Sequence, residues 1–234
     1  MLVSIIIPVY NEEQYIKELL IKVNSVKNIK KEVIVINDKS DDNTQNILEQ
    51  DCNSLYSKLI NNKKNMGKGY SCREGIKVSS GEIILIQDAD LEYNPENYQR
   101  LIDPIMNNDA KVVYGSRVLP GGQRTRPKTF DFVIRYFANW FLTFFSNLLN
   151  NQNLSDCHTC YKVFSAEIIK KIDLKENGFC FCPEITAKVS NLGIKIKEVP
   201  IDYFGRTQSE GKKISYFDGL RAINSILKYN LFKK

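Results

Sequence analysis

The chain has 234 residues, 43% hydrophobic and 26% charged, enough for one α/β domain with a sizeable core. It contains no low-complexity tract and no repeat of fixed period, which excludes a solenoid. Thirty-three Lys and Arg against twenty-seven Asp and Glu give a formal charge of +6, which favours phosphates, nucleic acid or acidic headgroups as partners without choosing among them.

At the amino end, Met1 to Pro8 has no basic region ahead of a long apolar run. It therefore predicts a buried strand rather than a signal peptide, and a cytoplasmic protein. Short β-branched runs recur at Val3 to Val9, Glu32 to Asn37, Lys58 to Asn61, Glu82 to Gln87 and Lys111 to Tyr114. Continuous apolar runs of this kind predict parallel strands covered on both faces. Between the first two, Ile16, Leu19, Leu20, Val23 and Val26 share one face at helical spacing. After the fourth, Pro95 suits a helix start, with Tyr98, Leu101, Ile102 and Ile105 as the inner stripe. The alternation predicts a doubly wound, mostly parallel α/β sheet.

Ligands of such sheets gather beyond the carboxyl ends of the strands. Those ends carry Pro8-Val9-Tyr10-Asn11-Glu12, Asn37-Asp38-Lys39-Ser40-Asp41-Asp42, Asn65-Met66-Gly67-Lys68-Gly69, Asp88-Ala89-Asp90-Leu91-Glu92 and Gly115-Ser116-Arg117. One acidic loop is usually a solvated turn, but five polar or glycine-bearing ends on one edge predict a site.

Within it, Asp88 and Asp90 leave a buried strand two residues apart, so their carboxylates point the same way. Like charges held together call for a cation, and hard oxygen ligands suit Mg²⁺ or Mn²⁺, with Glu92 as a third oxygen. A helix N-cap ahead of Pro95 is the purely structural alternative. Asp38 is placed to accept hydrogen bonds from a base or ribose. Glycines in Gly67-Lys68-Gly69 let backbone approach a ligand while the lysine meets a phosphate. The chain has neither the G-x-G-x-x-G fingerprint after its first strand nor a P-loop, which disfavours a dinucleotide oxidoreductase and a P-loop nucleotidase.

Further along, Arg117, Arg124, Arg126, Lys128 and Arg135 accompany a stretch broken by glycine and proline. The apolar segment Phe130 to Leu149 follows, crossed by a polar row at four-residue spacing: Asp131, Arg135, Asn139, Thr143 and Asn147. A charge at the bilayer centre costs about 2.5 to 3.5 kcal/mol, so the segment predicts a helix lying in a membrane interface, with Arg135 turned to phosphates, rather than a span. A core or dimer helix is the alternative. Arg206, Lys212 and Lys213 fall in a polar stretch, Gly205 to Lys213, read as a loop able to close over a pyrophosphate. The tail Phe217 to Lys234 is amphipathic, and no span follows it, so membrane contact is expected to be peripheral or through an anchoring partner or second copy.

Cys157 and Cys160 form a C-x-x-C pair and Cys180 and Cys182 a C-x-C pair, near zinc-ribbon spacing. The second pair is one residue too tight, so buried thiols are expected rather than zinc. A zinc-stabilised nucleic-acid-binding protein is correspondingly disfavoured, since the acidic strand ends would repel phosphate without a cation, and no nucleic-acid partner is expected. His158, beside Asp156, reads as a hydrogen-bonded structural residue rather than a base.

The strings PVYNEE (Pro8 to Glu13), INDKSDD (Ile36 to Asp42), NMGKG (Asn65 to Gly69), QDADLE (Gln87 to Glu92) and GSR (Gly115 to Arg117) resemble, in this order, the inverting family 2 glycosyltransferases of GT-A fold. Among these the chain is most similar to the dolichyl-phosphate mannose and glucose synthases. The likeness continues through Asp156 to Phe164 and Glu198 to Ile201. It implies a GT-A domain over residues 1–215, with an interfacial insertion at 117–150 and a C-terminal amphipathic helix at 216–234. It implies that Pro8, Tyr10, Glu12, Asp38 and Lys68 line a nucleotide pocket and that Asp88 and Asp90 hold the sugar nucleotide and its metal. Asn11, Ser40, Gly67, Gln87 and Ala89 fall within the same strings and are expected at the donor. Arg117, Arg135, Arg206 and Lys212 are expected at phosphates, and the acceptor is a polyprenyl phosphate at a membrane surface. Glu92 stands where related synthases often carry Gln, and Thr159-Cys160-Tyr161-Lys162 where many carry T-G-F-K. A phosphate monoester, with a second pKa of about 6, attacks without a general base. A saccharide hydroxyl would need one, with Asp156 or Glu184 as candidates.

Overall fold

The computed structural model describes residues 1–125, 130–206 and 216–231. Strands β1 (Val3–Val9), β2 (Lys31–Asn37), β3 (Lys58–Asn61), β4 (Ile83–Ile86), β5 (Val112–Ser116), β7 (Lys162–Ser165) and β8 (Lys197–Pro200) form one sheet in the order β3-β2-β1-β4-β7-β5-β8; β6 (Arg124–Thr125) pairs separately with β9 (Tyr203–Phe204). The helices are α1 (Ile16–Ser25), α2 (Thr44–Asn46, continued as a π turn), α3 (Lys68–Val78), α4 (Tyr98–Met106), α5 (Phe130–Asn150), α6 (Ala166–Ile169), α7 (Phe181–Asn191) and α8 (Tyr216–Leu231).

Every residue of β1 is buried, and six of the seven in β2, as their unbroken apolar runs require of strands covered by helices on both faces. Ile16, Leu19, Leu20 and Val23 carry α1 onto the core, and Tyr98, Leu101, Ile102 and Ile105 carry α4. Asn94 caps the turn at Pro95 by accepting from the Glu96 amide at 3.2 Å. Close approach fixes α3: a Cβ on Gly75 would stand 2.5 Å from Ile6 Cγ2, so this glycine lets the helix lie flat against the sheet.

The sheet departs from the sequence reading at β7 and at the end of β5. β7 enters between β4 and β5 and runs antiparallel to both, while the remaining pairs are parallel. β5 therefore still points the same way as β4. Because β7 is reversed, its amino end lies at the edge where the other strands finish, and the loop 156–161 is delivered to the same place. β5 also runs two residues beyond its expected end, so Gly115 and Ser116 are inside the strand and Arg117 is the first residue past it.

In α5 the polar row faces the domain. Asn139 donates to Asp156 Oδ1 at 3.2 Å, the buried Thr143 hydroxyl accepts from the Cys157 amide at 3.3 Å, and the Asn147 side chain both donates to and accepts from the Leu154 backbone. Its apolar face is turned outward, with Phe137 61%, Trp140 60% and Leu148 69% exposed. α8 packs beside it through Leu142, Ala222 and Ile226, and leaves Leu220 exposed. Among the described residues no helix is long and apolar enough to cross a membrane. Arg126, Lys128, Lys212, Lys213 and the last three residues lie outside the described chain, as does the side chain of Asp131.

Candidate active site

A cavity of about 560 Å³ opens along the carboxyl edge of the sheet and reaches to α5 and α8. Pro8, Tyr10 and Glu12 after β1, Asp38 after β2, Gly67 and Lys68 at the start of α3, and Asp88, Ala89, Asp90 and Glu92 after β4 line it. So do Arg117 after β5, Arg135 on α5 and Arg206 after β9, the last set among the carboxylates of Glu12, Asp90 and Glu92. Thirteen of the sequence-predicted residues thus meet in one place. Asn11, Ser40 and Gln87 do not reach it, and Lys212 lies outside the described residues.

Those three instead hold the walls. The Asn11 amide donates to Ser40 Oγ at 3.0 Å, and Asn11 Oδ1 accepts from the Asp41 amide at 2.8 Å, tying the β1 and β2 loops together. Gln87 is buried: its Oε1 accepts from the Tyr98 and Tyr161 hydroxyls, both at 2.7 Å, and its Nε2 donates to the Asp88 carbonyl at 2.9 Å. It locks the turn that carries the two aspartates. Asp38 combines both roles. It lines the cavity, yet its carboxylate already accepts from Asn62 Nδ2 and from the Met66 and Gly67 amides at 2.7 to 2.9 Å, so it shapes the loop ahead of Lys68. Gly67 holds φ at 93°, and a Cβ there would meet the Asn177 carbonyl oxygen at 2.5 Å; only glycine fits.

Electrostatically the two aspartates differ. Burial disfavours the Asp88 anion, but the ion pair with Lys68 prevails and holds its carboxyl below the usual range. Asp90 is pushed up to about 7 by burial and by the like charges of Asp88 and Glu92, against the pull of Arg206. The Arg206 guanidinium lies 2.6 Å from Asp90, 3.3 Å from Glu12 and 3.7 Å from Glu92. Glu92 is further engaged, with Oε2 accepting from the Tyr203 hydroxyl at 2.9 Å and Oε1 from the Arg206 amide at 2.8 Å. Among the described residues no three His, Cys, Asp or Glu side chains converge as a metal cage. Both oxygens of Glu92, expected as a third metal ligand, are engaged by the Tyr203 hydroxyl of β9 and the Arg206 amide that follows it.

Arg117 forms a two-point pair with Asp156, Nε to Oδ2 at 2.7 Å and Nη2 to Oδ1 at 2.8 Å, and lies 5.2 Å from the Tyr203 ring centre. Burial would raise the Asp156 carboxyl, but Arg117 overrides it and brings it down to about 2. Asp156 is fully buried and faces Arg117, while the equally buried Glu184 accepts from the Lys175 and Glu176 amides and pairs with Lys188 at 2.7 Å. Neither lines the cavity, so neither is placed as a base for a saccharide hydroxyl. All six cysteines are free thiols; Cys160 lines the cavity and Cys157 is paired with the Thr143 hydroxyl at 3.5 Å.

Sequence reading missed the walls supplied by Tyr93, Tyr203, His158, Phe179 and the α8 residues Asp218, Gly219 and Ala222. Most reach the site through β7, β9 and α8, whose arrival at this edge has no local signal. His158, expected from the sequence to be a hydrogen-bonded structural residue, lines the cavity instead, with its Nε2 unpartnered among the described residues.

The Glycosyl transferase family 2 profile matches residues 4–173 of the chain. A dolichol-phosphate mannosyltransferase of Pyrococcus furiosus is 27% identical over 98% of this chain, which spans 64% of that longer protein. An undecaprenyl-phosphate mannosyltransferase of Micrococcus luteus is 27% identical over 96% of this chain and 92% of its own length. Among solved structures, glucosyl-3-phosphoglycerate synthase from Mycobacterium tuberculosis, in complex with Mn²⁺, UDP and glucosyl-3-phosphoglycerate, superposes with a TM-score of 0.71 at 15% identity, covering 97% of this chain and 79% of that one. That likeness establishes the GT-A fold.

Proposed function

The chain belongs to glycosyl transferase family 2, and on that premise we propose that it moves a sugar, with inversion, from a nucleotide diphosphate to a polyprenyl phosphate at the cytoplasmic surface of a membrane. The observation that supports this reading is that one cavity gathers carboxylates and Lys68 from the sheet edge together with Arg117 and Arg135, the latter carried by α5, whose apolar face is turned outward. A soluble anion would need no such face beside it. The lipid-phosphate acceptors named for the relatives point the same way.

Asp88 and Asp90 fit a divalent ion, Mg²⁺ or Mn²⁺. Both line the cavity, and the crowding that pushes Asp90 up to about 7 is relieved by a cation. Such an ion would offset charge on the departing diphosphate. Lys68 and Arg206, each already paired with one of these aspartates, are placed to pass to diphosphate oxygens as the donor enters. Arg117, held rigid by Asp156, and Arg135 present donors to the acceptor phosphate. That phosphate is largely ionised near neutral pH, and its oxygen attacks the anomeric carbon as the bond to the diphosphate breaks.

A panel of nucleotide sugars with Mg²⁺ or Mn²⁺, with and without a short-chain polyprenyl phosphate, tests the proposal. Diphosphate release together with a lipid-linked sugar is expected. Transfer to saccharide hydroxyls alone would overturn it.

A further inference from the structure

We propose that His158 is an acceptor-binding residue, its neutral imidazole donating Nε2–H to an oxygen of the acceptor phosphate beside Arg117 and Arg135. The inference rests on the proposed lipid-phosphate acceptor and deepens it.

His158 lines the cavity, and its Nε2 is buried without a hydrogen-bond partner among the described residues. A buried polar atom left so is costly unless a ligand meets it. The backbone around it is pinned. The Asp156 amide donates to Glu198 at 3.0 Å, the Cys157 amide to Thr143 at 3.3 Å and the Cys160 amide to the Tyr93 hydroxyl at 3.0 Å, while the buried Lys162 ammonium caps the Cys157 and Thr159 carbonyls. The imidazole is therefore presented by a rigid loop, as a binding group should be.

The chemistry of the ligand follows from the neighbours. Arg117 and Arg135, which line the same cavity, call for an anion, and a nitrogen lone pair facing an anionic oxygen would be repelled, so Nε2 must carry the proton. A further full cation beside Arg117 and Lys162 would be repelled by them; burial, reinforced by Lys162 and Arg117 against the opposing pull of Asp156, pushes the imidazole down to about 4 and keeps it neutral. A neutral N–H adds a directed hydrogen bond where a further charge is disfavoured.

The chain has a single histidine, so one imidazole signal reports on the site without assignment. In ¹⁵N-labelled protein that signal is expected to stay neutral across pH 5 to 8 and to move when short-chain polyprenyl phosphate is added, but not on adding nucleotide diphosphate. His158→Leu is expected to raise the KM for the acceptor about ten-fold with donor affinity within about two-fold of wild type, and His158→Gln, which keeps an N–H, to recover most of it. An acceptor KM unchanged in His158→Leu, or a kcat loss shared by both variants with KM intact, overturns the inference while leaving the proposed function standing. Failure of the wild type to transfer to polyprenyl phosphate overturns both. Should His158→Leu fail to fold, the chemical-shift response of the wild type decides alone.

Discussion

Asp90 concentrates the conflict at the centre of the site: a carboxylate crowded by Asp88, Glu92 and Glu12 and steadied by Arg206. Replacing it by alanine removes the proposed cation ligand but no core contact, so Asp90→Ala should retain its melting temperature and lose turnover together with metal-dependent nucleotide binding. Undiminished wild-type turnover in EDTA would contradict the metal role. His158 supplies a second test at this scale. Its folded-state pKa of about 4 lies below the ordinary 6.5. Below pH 6.5 the unfolded chain binds a proton that the folded one refuses, so the contribution is present above 6.5 and lost as pH falls toward 4. The upper limit is about 3 kcal/mol. Asp90, raised from its ordinary value to about 7, acts with the opposite sign throughout that range, so the diagnostic is a difference. Urea titrations should show wild type losing more stability than His158→Gln between pH 6.5 and 4. Parallel curves would mean that the imidazole is protonated in the folded state.

Among the elements, those that carry their own signal were legible. β1 and β2 announce themselves by unbroken β-branched runs, α1 and α4 by their stripes, and the Asp88 to Asp90 turn by following a buried strand. β7 was not, because Lys162–Ser165 is four residues long and opens on a lysine that only the fold buries, under the Tyr114 ring at 4.2 Å. In α5 the sequence shows the polar row and the apolar face but not which is inside. The structure turns Asn139, Thr143 and Asn147 inward, where they satisfy backbone groups of residues 154–157, and so leaves the aromatics outside. Exposed contiguous aromatics on a helix seek a membrane or a partner. Phe137→Ser with Trp140→Ser should therefore leave the melting temperature and donor affinity nearly unchanged while abolishing co-flotation with anionic liposomes. If the double variant instead floats as wild type does and changes the oligomeric state, the face is a contact between copies of the chain.

At the scale of the whole molecule, the proposed function brings donor and acceptor together at one sheet edge. The residues proposed for the donor come from loops after β1, β2 and β4, all anchored in the core, whereas Arg135 comes from α5, outside the principal core and tied to it through the 154–157 segment. Changes on one side should therefore leave the other largely intact. Charge-assisted pairing with a phosphate is worth roughly 1.5 to 3 kcal/mol. Arg135→Ala should accordingly lower transfer to a polyprenyl phosphate by roughly ten- to a hundred-fold, while donor affinity measured by calorimetry barely moves. Arg135→Lys should recover only part, because a point charge replaces a fork that matches two phosphate oxygens. The reverse experiment completes the argument. Asp38→Asn disturbs a carboxylate that fixes the Met66 and Gly67 amides, and should weaken donor binding without altering the acceptor KM. If Arg135→Ala transfers normally, α5 serves only packing or liposome attachment; if both variants weaken both substrates equally, the cavity is one cooperative site and its division into donor and acceptor walls is wrong.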